Sequence, residues 1–94
     1  MAEVLSEEAV DAALVERALA WRREGIELVK TVKRDRFVGA LGFVNEVGRL
    51  AEAADHHPDI DIRWDTVTLR LCTHSAGGLT ENDLVLAAQI DGIP

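Results

Sequence analysis

The chain has 94 residues, 48% of them apolar, a formal net charge of −7 and a pI of about 4.8. That length makes one domain spanning 1–94, the apolar share excludes a disordered chain, and the acidic surface repels phosphate, so neither nucleic acid nor an anionic membrane is an expected partner. A single cysteine, Cys72, excludes an internal disulfide and a CxxC metal motif, and no apolar run approaches the roughly 20 residues of a membrane span.

The N-terminus carries Glu3, Glu7 and Glu8 instead of the basic-then-apolar layout of a signal peptide. With the lone thiol, this points to the cytoplasm. Ser6 reads as an N-cap, with Glu7 and Glu8 in the first turn and Leu5 and Val10 as a hydrophobic staple. Val10, Leu14 and Ala18 recur at helical spacing and predict a first helix over 7–19. Gly25 interrupts the next stretch, and Ile26, Leu28 and Val32 fall on alternate positions. These features predict strands near 20–23 and 26–34 joined by a turn at Glu24-Gly25.

From 37 to 54 the helical period returns, with Phe37, Leu41, Val44, Val47, Leu50, Ala51 and Ala54 as one stripe, broadened by Phe43. Gly39, Gly42 and Gly48 each weaken the helix by roughly 1 kcal/mol relative to alanine, and read as places for close packing onto a sheet. Pro58 pushes residue 57 toward extended backbone and stops the helix.

Ile60, Ile62 and Trp64 alternate with Asp61, Arg63 and Asp65, and Val67, Leu69 and Leu71 alternate with Thr68, Arg70 and Cys72. Two strands, 59–64 and 67–73, joined near Asp65-Thr66, fit both runs. Trp21 and Trp64 both read as core. Thr80-Glu81-Asn82-Asp83 matches a capping box, stapled by Leu79 and Leu84, and opens a third helix running to Ile90. The order α-β-β-α-β-β-α predicts an α+β fold, a four-stranded antiparallel sheet with three helices packed on one face.

All three histidines fall near this junction. With the hairpin turn at 65–66, position 57 lies opposite 74, so His56, His57 and His74 gather at one end of the sheet. Imidazole gives and takes protons near neutral pH, and Glu52, four residues before His56, is spaced to orient it. Solvated helix-end residues are the bland alternative. Adjacent histidines diverge in extended chain and no HExxH or HxH spacing is present, so a metal site is disfavoured. Cys72 reads as packing, and Asp83 as the acid of its capping box.

Glu52, His56-His57-Pro58, Trp64, Thr73-His74, Gly77-Gly78-Leu79-Thr80 and Asp83, at these spacings, resemble the pterin-4a-carbinolamine dehydratases. The helix 1 and Trp21 region joins the likeness, which covers nearly the whole chain. The resemblance implies the fold just read. It also implies dehydration of 4a-hydroxytetrahydropterin to quinonoid dihydropterin, in the recycling of the pterin used by aromatic amino acid hydroxylases.

It further implies His56 and His74 as the acid/base pair, His57 mainly holding the pterin, and Glu52 and Asp55 orienting imidazoles or contacting the ring. Pro58, Thr73 and Asp83 complete the substrate-binding set, with Asp83 near His74. No cofactor and no metal are implied, and a homodimer or homotetramer is. Ile60, Asn82 and Arg34 depart from the family's usual aromatic, basic and phenylalanine residues, and leave the histidine set intact. The rival readings are a catalytically weak member serving as a dimerisation or regulatory module, and a metal-binding domain.

Overall fold

Ser6 caps the first helix as its sequence demands: its side chain accepts the N–H of Ala9 at 3.1 Å. This computed structural model describes residues 3–94. Helix α1 (Glu7–Glu16) stops three residues short of the predicted end. Ala18 turns into left-handed backbone (φ 52°), and the N–H of Leu19 returns to the carbonyl of Leu14 at 3.0 Å. The early turn feeds Trp21 into the core, where its indole N–H donates to the Ala87 carbonyl at 3.2 Å and to Asp91 at 3.0 Å.

Strands β1 (Arg22–Glu24) and β2 (Glu27–Lys33) form the first hairpin. Glu24 pairs with Glu27, so the turn falls on Gly25-Ile26 rather than Glu24-Gly25, and Ile26 is exposed at the tip. Helix α2 (Phe37–Ala54) has the predicted bounds, but its buried stripe is Ala40, Phe43, Val47 and Ala51. Phe37, Leu41 and Ala54 are exposed, and Val44 and Leu50 only flank the core. The helical period holds, but the centre of the buried face is rotated from the expected stripe, because small Ala40 takes the contact expected of bulkier neighbours. Of the three glycines, only Gly39 lies close to another residue, with Arg34 3.2 Å from where a Cβ would stand. Gly42 and Gly48 face open space.

Strands β3 (Asp59–Arg63) and β4 (Thr66–Leu71) form the second hairpin. Arg63 pairs with Thr66, so the turn is Trp64-Asp65. Trp64 occupies it with left-handed backbone (φ 54°) and is 72% exposed, against the expectation of a core tryptophan. Strict alternation would put Trp64 on the buried face, but the chain reverses there.

The antiparallel order β1-β2-β4-β3 places β2 and β4 at the centre. Val67, Leu69 and Leu71 alternate along β4 and are fully buried. They join one cluster with Val10 and Ala13 of α1, Phe43 and Val47 of α2, and Leu84 and Ala87 of the third helix, α3 (Glu81–Asp91). All three helices therefore share one face of the sheet. Asp91 fastens the far end of α3: besides Trp21 it receives the Ala20 N–H at 2.8 Å and an ion pair from Lys30.

Cys72 is buried beside the Gly78 carbonyl, and burial pushes its thiol up from the ordinary range. Since the thiolate is the nucleophile, iodoacetamide at pH about 8 should label the native chain far more slowly than the chain in denaturant. Equal labelling rates, read by mass spectrometry, would contradict this burial.

Candidate functional site

The end of α2 decides where the histidines go. Asp55 adopts left-handed backbone (φ 50°, ψ 43°), its N–H bonds to the Glu52 carbonyl at 3.2 Å, and the N–H of His56 returns to Ala51 at 3.1 Å. This is a left-handed helix terminus of the kind glycine usually supplies. It takes His56 off the helical spiral, so the four-residue spacing from Glu52 no longer puts the two side by side. His56 turns inward, its side chain 14% exposed, and its Nε2 lies 2.5 Å from Asp83 Oδ1. Glu52 pairs instead with Nε2 of His57, also at 2.5 Å, on the exposed side. Asp55 itself is exposed, and Pro58 leads directly into β3.

His74 arrives from the other side. The hairpin register is two residues off the expected one: extending it puts residue 57 across from Cys72, not His74. His74 nevertheless comes to the same end of the sheet through a short 3₁₀ turn, His74–Ala76, that follows β4. A bridge between Thr73 and Gly78 closes this loop, with the Thr73 N–H on the Gly78 carbonyl at 3.0 Å. Gly77 sits at φ 77°, where a side chain would be strained. At Gly78 a Cβ would stand 2.9 Å from Val4. The two glycines let the loop fold tightly under the N-terminal segment, and His74 is left exposed at its outer edge.

Beneath the histidines lies a buried polar network. Asp83, wholly buried, receives the Thr73 hydroxyl at 2.7 Å and the Thr80 N–H at 2.9 Å, both on Oδ2. The hydroxyls of Thr73 and Thr80 meet at 2.8 Å. Asp83 therefore caps α3 with one oxygen and holds His56 with the other. The two readings of this aspartate were not alternatives. It lies one hydrogen bond from Thr73, the neighbour of His74, yet its direct imidazole partner is His56. Thr80, fully buried, joins this network through its hydroxyl as well as capping α3. The signal was present in the Thr-x-x-Asp spacing, which puts a threonine hydroxyl beside any carboxylate that caps this helix.

Two imidazoles thus carry carboxylate partners, one buried and one exposed, and a third stands free of side-chain hydrogen bonds among the described residues. Such a set can hold and move protons. A groove of about 480 Å³ near the start of α2, lined by Arg34, Phe43, Glu46 and Pro94 among others, contains none of the histidines.

Comparison with known proteins bears on this arrangement. The family pattern described as "Pterin 4 alpha carbinolamine dehydratase" matches residues 3–93. Curated proteins bearing a pterin-4-alpha-carbinolamine dehydratase name are similar along almost their whole length. One from Nocardia farcinica (strain IFM 10152) is 52% identical over 89 residues, covering 95% of this chain and 93% of the relative. One from Roseiflexus sp. (strain RS-1) is 55% identical over 86 residues, covering 88% and 92%. A crystal structure of a "transcriptional coactivator/pterin dehydratase" from Brucella melitensis superposes with a TM-score of 0.86 at 32% identity, covering 95% of this chain and 96% of that one. A pterin dehydratase-like protein described as a RuBisCO assembly factor of the alpha-carboxysome shares the fold, with a TM-score of 0.62 at 20% identity, covering 78% and 84%. The chain belongs to the pterin-4-alpha-carbinolamine dehydratase family.

Proposed function

We propose that the chain dehydrates 4a-hydroxytetrahydropterin to quinonoid dihydropterin by histidine acid/base catalysis. The observation that carries this reading is the convergence of His56, His57 and His74 from two separate elements onto one end of the sheet, with His56 bonded to buried Asp83. The reaction breaks the C4a–O bond and removes the proton of N5. Its electron pair forms the N5=C4a double bond, and the hydroxyl leaves as water after taking up a proton. One group must accept a proton and another must give one, and imidazole is the side chain suited to both near neutrality. His56 and His74 fill these two roles, and His57, held by Glu52, contacts the pterin. Asp83 and Thr73, buried and bonded to each other, support His56 from behind rather than facing the ligand.

In this reading the chain uses no cofactor or metal, acts in pterin recycling alongside an aromatic amino acid hydroxylase, and assembles as a homodimer or homotetramer. The unpaired outer edge of β3 and a 94-residue core support assembly. The test couples the purified protein to a hydroxylase that generates the carbinolamine. Added protein should raise the rate at which quinonoid product appears, before and after dialysis against a chelator. An unchanged rate at micromolar protein would favour the interaction-module reading, and a loss restored by zinc would favour a metal site.

A further inference from the structure

The hydrogen bonds around Asp83 have a direction, and it reaches His56. Oδ2 accepts from the Thr80 main-chain N–H, a donor that cannot be reversed, and from the Thr73 hydroxyl. With its own proton committed to Asp83, Thr73 accepts from the Thr80 hydroxyl, which has no other side-chain partner among the described residues. Every group behind Asp83 is therefore a donor. That leaves Oδ1 as the acceptor for His56 Nε2 at 2.5 Å. Reference proton affinities put a proton shared by a carboxyl and an imidazole on the imidazole. His56 Nδ1, by contrast, bonds to no protein group among the described residues and is not sealed from solvent.

We infer that Asp83, pinned by the Thr80 N–H and the Thr73 hydroxyl, locks neutral His56 as the Nε2–H tautomer, so that Nδ1 is its working nitrogen. This rests on the reading of His56 as an acid/base group, and it assigns the direction of transfer. A resting Nδ1 is a lone pair, so His56 is the base: it takes the N5 proton, and Asp83 stabilises the imidazolium that forms. His74 then gives the proton that leaves with the C4a oxygen as water, and solvent returns both rings to their starting states. Asp83 is a positioning residue, and Thr73 and Thr80 position it.

The assignment makes Asp83→Asn informative. The Thr80 N–H needs an acceptor, so the amide oxygen must take the Oδ2 place. The amide NH₂ then faces His56, whose Nε2 can bond to it only as an acceptor. The ring proton must move to Nδ1, the nitrogen that should be free. The experiment is a long-range ¹H–¹⁵N correlation spectrum of ¹⁵N-histidine-labelled full-length protein at alkaline pH, without substrate, for the wild type and D83N. His56 is assigned by its loss in H56A.

The expected result is an Nε2–H tautomer for wild-type His56 and an Nδ1–H tautomer in D83N. In parallel, kcat should fall on the order of 10²-fold or more in D83N with little change in KM. Thr73→Ser, which keeps the hydroxyl on Asp83, should keep the wild-type tautomer. A wild-type Nδ1–H tautomer would overturn the inference, whether or not D83N folds, and so would a folded D83N that keeps Nε2–H. Because the spectrum is read without turnover, an Nε2–H tautomer in a protein that fails to dehydrate the carbinolamine would sink the proposed function and leave the tautomer assignment standing.

Discussion

Replacing His56 and His74 together with alanine should bring dehydration down to the spontaneous rate. The two rings come from different elements, His56 from the end of α2 and His74 from the turn after β4, and in the proposed mechanism they serve different atoms of the substrate. With one ring removed, water substitutes poorly for it, and each single variant should keep part of the turnover. With both removed neither group assigned to proton transfer remains, and the loss should reach the roughly 10²–10⁴-fold that positioned acid/base groups supply. His57→Ala should behave differently and mainly raise KM, because the proposed mechanism gives its imidazole, 54% exposed and tied to Glu52, a ligand-holding role with no proton transfer. Turnover number and KM of the four variants, with circular dichroism to confirm folding, make the comparison. Near-native turnover in the double variant would remove the proton-transfer assignment.

The largest effect on stability is expected at Leu69. It lies fully buried in β4, between Lys30 of β2 and Ile60 of β3, at the middle of the sheet that the helices cover. Leu69→Ala removes three buried carbons from a site whose neighbours are fixed by strand pairing on both sides, so the cavity cannot fully close. The cost is about 3 kcal/mol, which for a domain of this size lowers Tm by roughly 12–24 °C. Trp64→Ala removes more atoms yet should cost under about 0.5 kcal/mol, because that ring stands in solvent at the hairpin tip. Thermal melts of the two variants would contradict the burial pattern if Trp64→Ala proved the more damaging.

Trp64 also shows where the sequence stops being a guide. Element types and order were legible because periods of 3.6 and 2 are strong signals over runs as long as 37–54 and 59–71. Turn positions were not. Each hairpin turn lies one residue from its predicted place, and a turn is fixed by pairing across strands, which local pattern does not carry. The slip at Trp64-Asp65 moved the predicted partner of residue 57 by two positions. The three histidines still lie at the same end of the sheet, His56 and His57 just before β3 and His74 in the 3₁₀ turn after β4.

Glu52 and His56 failed as a pair for a related reason. Their spacing holds only on an unbroken helix, and the left-handed Asp55 breaks it one residue too early. The family likeness named Asp83, and the capping pattern explained it. Only the folded chain shows that one carboxylate does both jobs, because His56 and Asp83 are 27 residues apart and meet through tertiary packing alone.

The most direct measurement of the central claim is the decay of the 4a-carbinolamine itself. The intermediate is generated in a rapid-mixing instrument, and its absorbance is followed with increasing amounts of the wild-type chain. Catalysis by this site predicts an observed rate that rises linearly with protein concentration above the spontaneous intercept, and a slope that vanishes in the His56/His74 double variant. A decay rate independent of protein concentration, with the chain shown to be folded, would contradict it.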